Sequence, residues 1–199
     1  MGSDERLDRL DSIEAIRQLA ARYALAVDVR DLDALVELYV DDIRVGEARG
    51  RQALKEVFDR SVRQFTASFH LVGNHVIEFD DPDNARGVVY CRVEHEVVEV
   101  WVTAALMYHD RYQRRDGCWY IRGRSQQRLY AAANDDPPVG VAKIRWPGAE
   151  PVDGRYHDPF PSWDAFWGGP APAPAEADAP FLARIRRTKA LPAPPKYIF

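Results

Sequence analysis

The sequence predicts an α+β domain in which three helices pack on a strongly curved, mainly antiparallel sheet. Two observations carry that expectation. As far as Phe65 the apolar residues recur at helical spacing, and from Ser68 onward they alternate over long runs separated by turn residues. Helices first and hairpin-joined strands afterwards is the order of an α+β unit, with the sheet wrapping round the helices. A third observation sets the limit of that unit. Of the 14 prolines, all but Pro82 lie beyond Ala131, so regular structure is expected to thin out there.

Taken in order, Asp11-Ser-Ile-Glu14 reads as a capping box that starts the first helix. Its apolar positions Ile13, Ile16, Ala20, Tyr23 and Val27 advance by alternating steps of three and four, one face of a helix. Asp31 caps a second helix that runs to Tyr39. A short strand at Asp41–Val45 precedes a third helix over Gly50–Phe65, whose inner face is Leu54, Val57, Phe58, Val62 and Phe65. In the next stretch Phe69, Leu71, Ile77 and Phe79 fall on one side of a strand, and Ser68, His70, Val72, Asn74 and Val76 on the other. Asp80–Asn84 is a turn, Ala85–Val98 and Val100–Arg114 are strands, and Arg115-Asp-Gly117 returns the chain as a last strand, Cys118–Tyr130.

These boundaries give a domain over residues 1–131 and a Pro- and aromatic-rich extension over 132–199. Trp146, Phe160, Trp163, Phe166, Trp167, Phe181, Tyr197 and Phe199 give the extension large groups to dock, on its own domain or a neighbouring subunit. Asp178–Leu191 resembles a helix, and Gly168–Ala175 is expected to be the most mobile part.

Composition narrows the function classes. A net charge of −4 argues against a phosphate-binding surface, so nucleic acid is not an expected partner. No apolar run reaches the ~18–20 residues of a membrane span, and the charged N-terminus MGSDERLDRLDS is no export signal, so a cytoplasmic location is expected. Cys91 and Cys118 form no CxxC pair and are expected to be reduced thiols. No phosphate loop, nucleophile elbow or dinucleotide fingerprint is present, and the histidines lack the spacing of a facial triad, so neither metal nor cofactor is expected.

Asp28 is the residue that asks for an explanation. It lies in the last turn of the first helix, where the backbone dipole disfavours a carboxylate by roughly 0.3–1 kcal/mol. Asp31 caps the next helix, so Asp28 is not needed there. A carboxylate bonded to one nitrogen of an imidazole fixes the tautomer, leaves the other nitrogen as a base, and stabilises the imidazolium.

The stretches EAIRQLAARYALAVDVRDLDALVELYVDDI, GRQALKEVF, FHLVGNHVIEF, ARGVVYCRVEHEV and YHDRYQRRDGCWYIRGR, in this order, resemble the SnoaL-like branch of the nuclear-transport-factor-2-like superfamily. The resemblance covers about residues 8–130 and implies a cone-shaped α+β barrel round a deep, mostly apolar pocket. It is strongest to lyases of the scytalone dehydratase and hexachlorocyclohexane dehydrochlorinase types. It implies a catalytic pair of Asp28 with His70, a second histidine in His95, a cavity-lining Tyr23, and a cavity arginine at Arg124, for which Arg122 competes. Asn74, on the expected His70 face, and Tyr108, which shares a strand face with Asp110, join Arg124 as substrate-binding candidates.

The residues alone also allow blander roles. Asp28 can bond loop amides or pair with Arg30, His70 can stand half-exposed on the polar side of its strand, and His95 in its Glu-His-Glu run can sit on a solvated face. Tyr23 can simply pack, and Tyr108 with Asp110 can equally be hairpin surface. The expectation is a cofactor-independent lyase, a dehydratase or a related elimination or C–C cleavage enzyme such as a deformylase. Its substrate is a hydrophobic aromatic or polycyclic small molecule, and it forms a homodimer or homotrimer. Isomerase, cyclase and non-catalytic binding modules are the alternatives that the fold allows.

Overall fold

The computed structural model describes residues 2–154, 156–157 and 159–168. The expectations at Asp178–Leu191, at Phe181, Tyr197 and Phe199, and for 169–175 lie outside the described residues. The chain divides into two units, Met1–Tyr156 and His157–Phe199. In the second, the described helix is α4 (Pro161–Gly168), preceded by His157, whose ring lies 5.1 Å from that of Trp163 and 6.3 Å from that of Phe160.

The first unit is the expected α+β fold. Helix α1 spans Ser3–Asp28, α2 spans Leu32–Glu37 and α3 spans Arg51–Val62; two short strands, β1 (Arg44–Val45) and β2 (Ala48–Arg49), pair between α2 and α3. Four long strands, β3 (Ala67–Asp81), β4 (Asn84–Val97), β5 (Val100–Arg115) and β6 (Cys118–Ala133), form an antiparallel sheet in sequence order. Asp31 caps α2 by accepting from the Ala34 amide at 3.0 Å. The first helix begins eight residues before the expected Asp11, with Glu5 reaching back to the Gly2 amide at 2.8 Å. Nothing in DERLDRLD breaks a helix, and the Asp11–Glu14 pattern sits inside it without capping anything. Ile16, Ala20, Tyr23 and Val27 bury the expected face of α1 against the sheet, and the segment that follows α2 is tied to β6 by Val40 N–H to Ile121 O at 3.1 Å.

The strands depart from simple alternation at bulges, and these decide which side chains face the helices. Val72 pairs with Cys91 but His75 pairs with Val89, so β3 carries one extra residue. The phase of the strand reverses there. Before the bulge Ser68 and His70 point inward while Phe69 and Leu71 are exposed; after it Ile77 and Phe79 pack on the core. The single face expected for Phe69, Leu71, Ile77 and Phe79 is thereby split. On β6, Ile121 pairs with Tyr112 and Gly123 with Arg111, so Arg122 is the extra residue.

Residues past Ala131 add to this unit. Ile144 bridges Ala131 and Val152, with Arg145 N–H donating to Ala131 O at 2.6 Å and Ala131 N–H to Lys143 O at 3.0 Å. This brings Trp146 onto the same face as His95.

Arg30 holds the helix tip to the sheet. It adopts a left-handed backbone (φ 63°) just past α1, and its guanidinium donates to Val27 O at 2.7 Å, Asp28 O at 3.3 Å, Phe65 O at 3.3 Å and Ser68 Oγ at 2.8 Å. We expect Arg30→Ala to cost about 1–3 kcal/mol, because it strips several buried carbonyls of a charged donor at once. The check is a lower urea midpoint at unchanged slope; an unaltered midpoint would show that water replaces the guanidinium.

Candidate active site

Asp28 meets the sheet. Its Oδ1 lies 2.6 Å from His70 Nδ1 and accepts from Ser68 Oγ at 2.8 Å, while Oδ2 accepts from the His70 amide at 2.8 Å. The alternative in which Asp28 pairs with Arg30 is not what forms: Arg30 goes to carbonyls and to Ser68, which relays to Asp28. The His70 side chain is 6% exposed and that of Asp28 18%. A carboxylate only accepts, so Nδ1 carries the proton and Nε2 is left with its lone pair. Burial lowers the His70 pKa below its ordinary 6.5, and the bond to Asp28 offsets only part of this. The ring is therefore neutral at pH 7, the state a general base needs.

The second histidine is beside the first. The ring of His95 stands edge-on to His70 with centroids 5.9 Å apart, flanked by Phe65 at 4.3 Å and Trp146 at 5.5 Å. It is 8% exposed, which corrects the solvated-face alternative for the Glu-His-Glu run. Burial first, and the neighbouring His70 second, pull its pKa down to about 4. Its buried Nδ1 has no hydrogen-bond partner.

Tyr23 connects this pair to a buried cation. Its ring lies 6.5 Å from His70, 5.7 Å from Tyr108 and 4.2 Å from the guanidinium carbon of Arg124, which is also 4.2 Å from the Tyr108 ring. Arg124 pairs with Asp110 through two bonds, Nε to Oδ1 at 2.7 Å and Nη2 to Oδ2 at 2.6 Å. Burial alone would lower its pKa, but the Asp110 carboxylate outweighs that and holds it firmly charged. Its Nη1 is buried with no hydrogen-bond partner. Burial raises the Tyr23 pKa against the opposing pull of Arg124, so the phenol keeps its proton. The choice between the two arginines is decided by the β6 bulge: Arg124 is inside, and Arg122 is outside, 3.7 Å from Asp42.

Asn74 does not join the site. The β3 bulge turns it away from His70, and it is exposed in a hollow of about 300 Å³ on the outer face with Leu71, Gly73, Tyr90 and Arg92. Tyr108 is brought in, as a buried ring under Arg124. Cys91 is buried and its thiol pKa is pushed up to about 11, chiefly by burial, which leaves no thiolate to attack anything. Three neighbours were not singled out from sequence as site residues: Ser68 and Arg30 act through local geometry, and Trp146 lies beyond the expected domain. Asp110, which shares the strand face of Tyr108, is buried with it, so neither lies on a hairpin surface. Among the described residues no cluster of three or more His, Cys, Asp or Glu is arranged for a metal ion, and no helix is long and apolar enough to cross a membrane.

Comparisons with known proteins agree with this fold. A γ-hexachlorocyclohexane dehydrochlorinase of Sphingobium indicum is 28% identical over 127 residues, covering 60% of this chain and 81% of the relative. The crystal structure of LinA superposes with a TM-score of 0.60 at 26% identity, covering 73% of this chain and 99% of the other. A structure from Novosphingobium aromaticivorans, provisionally called a scytalone dehydratase, matches in fold with a TM-score of 0.57 at 19% identity, over 72% of this chain and 97% of that one. The model of the SnoaL-like domain matches residues 8–125, and the chain belongs to that family.

Proposed function

We propose that this protein is a lyase that eliminates a small leaving group from a hydrophobic, cyclic small molecule, using His70 as general base. The observation that carries this is the 2.6 Å contact between Asp28 and His70 Nδ1, which leaves Nε2 as a bare lone pair in a site lined by Phe65, Tyr23 and Trp146. Dehydrochlorination, the reaction in the name of the Sphingobium relative, needs the same parts.

In the proposed reaction His70 Nε2 takes a proton from a carbon beside the one that bears the leaving group. The C–H electron pair becomes the new π bond, and the bond to the leaving group breaks with its pair going to that group. Asp28 stabilises the imidazolium as it forms, an effect enlarged by the low polarity around it. The developing negative charge on the leaving atom is met by donors that stay in place throughout: the charged Arg124 and the protonated Tyr23. His95, neutral at pH 7, adds no positive charge to compete with the imidazolium on His70. Loss of water rather than halide requires the proton to be returned to the departing oxygen, and the imidazolium of His70 is the acid nearest to it. The carbon–oxygen and carbon–halogen versions thus differ only in where that proton ends.

The test is a panel of γ-hexachlorocyclohexane and cyclic aromatic alcohols, with products followed by mass spectrometry. His70→Ala and Asp28→Asn are each expected to lower turnover by about 10²–10⁴-fold, with ligand affinity changed little. Binding across the panel without turnover by the wild type would instead favour a binding module.

Acid should act late on turnover. Burial holds the His70 pKa below 6.5, so kcat/KM is expected to stay flat as pH falls through 6.5 and to drop only below it. A midpoint above 6.5 would contradict the neutral-base assignment. Stability moves with the same groups. His70, His75 and His95 all have folded pKa values below 6.5, so their contribution is complete above pH 6.5 and is lost as pH falls, through about 4 for His75 and His95. Circular dichroism at each pH separates loss of the base from loss of the fold.

A further inference from the structure

Behind Arg124 runs a chain of buried groups that the elimination chemistry above does not use. Asp110 Oδ2, which accepts from Arg124 Nη2, also accepts from the Tyr112 hydroxyl at 2.6 Å, and the Tyr112 oxygen lies 3.1 Å from His75 Nε2. The direction of every bond is fixed. The carboxylate only accepts, so Tyr112 spends its single proton on Asp110, and His75 must donate from Nε2. His75 is thereby set in the tautomer opposite to that of His70, and its buried Nδ1 has no hydrogen-bond partner. Asp110 and Tyr112 are each 1% exposed.

The sheet makes room for this chain. The β3 bulge that expels Asn74 turns His75 inward. On the neighbouring strand β4, a Cβ on Gly87 would stand 3.2 Å from His75 Nε2, 3.1 Å from the Tyr112 ring and 2.8 Å from Val76 O. The β6 bulge at Arg122 sets Arg124 against Asp110. Strands β3, β5 and β6 therefore contribute to one line of bonds, for which β4 leaves room, and the line ends on a guanidinium whose remaining nitrogen, Nη1, has no hydrogen-bond partner.

We propose that Asp110, Tyr112 and His75 form a positioning relay that tunes Arg124 as a donor to negative charge on the substrate; this rests on the elimination reading above. The physics is one of shared charge. Asp110 divides its negative charge between Arg124 and Tyr112, and donation from His75 makes the Tyr112 hydroxyl the stronger competitor for it. The more charge Tyr112 draws off, the less the carboxylate neutralises the guanidinium, and the more positive charge is left at Nη1. The two hydrogen bonds that Arg124 donates to Asp110 also fix the plane of the guanidinium against the Tyr23 and Tyr108 rings, so a ligand atom meets a donor that need not reorient.

The test uses 4-nitrophenol as a probe for a charge-bearing oxygen, with the full-length protein and absorbance reporting the phenolate fraction of the bound dye below its solution pKa. Wild type is expected to raise that fraction. Tyr112→Phe keeps the ion pair but removes the competing donor, and is expected to weaken the rise by about three- to tenfold. His75→Leu should act in the same direction and more weakly, and His75→Gln, which keeps an N–H in reach, should restore most of it. Variants that only lower the melting temperature, with an unchanged phenolate fraction in the folded protein, would overturn the relay. So would wild type that leaves the dye un-ionised or takes up none. Turnover lost in His70→Ala but untouched in the relay variants would leave the elimination reading standing without the relay.

Discussion

The carboxylate of Asp28 joins the two layers of the fold. It sits at the unfavourable end of a helix and is held there by three bonds from β3: a hydroxyl, a backbone amide and an imidazole. Hydrogen bonds to a charged group contribute about 1.5–3 kcal/mol each, so together they outweigh the roughly 0.3–1 kcal/mol that the helix dipole costs. The same three bonds set the tautomer of His70 and the angle at which α1 meets the sheet. Arg30 supports the arrangement from behind, through Ser68 and the carbonyls at the helix end. The fold and the proposed chemistry share one contact here, so loosening it for one disturbs the other.

Much of this was legible in the sequence. The 3-4-3-4 run from Ile13 to Val27 placed Tyr23 inward and Asp28 at the edge of the buried face, because helical periodicity is a local property that needs no tertiary information. The two candidate histidines do lie side by side. What the sequence concealed came from bulges, each of which inserts one residue and reverses every inward assignment that follows. Strict alternation put Asn74 with His70 and left His75 with background weight; the extra residue between Val72 and His75 reverses both. The same device on β6 separates Arg124 from Arg122. Trp146 was hidden for a different reason: prolines mark where regular structure ends, but not where a chain stops packing.

Two connected sets of buried and half-buried polar groups stand out in this unit. One is Arg30, Ser68, Asp28 and His70; the other is His75, Tyr112, Asp110 and Arg124; the rings of Tyr23 and Tyr108 lie between them. The histidines at the two ends are set in opposite tautomers by acceptors and donors of opposite kind. Burial favours the neutral form of His70, His75 and His95 alike, so the fixed positive charge of this region belongs to the guanidinium groups of Arg30 and Arg124. A base without charge beside a cation that cannot lose its proton is a division of labour suited to moving a proton off carbon while charge builds elsewhere.

The most direct measurement is of the His70 ring itself, by two-dimensional NMR correlating its nitrogens with the ring carbon-bound protons at pH 7. The account requires a neutral ring with Nδ1 protonated and Nε2 bare, and a collapse of that pattern in Asp28→Asn. A ring protonated on Nε2, or an imidazolium at that pH, would contradict it.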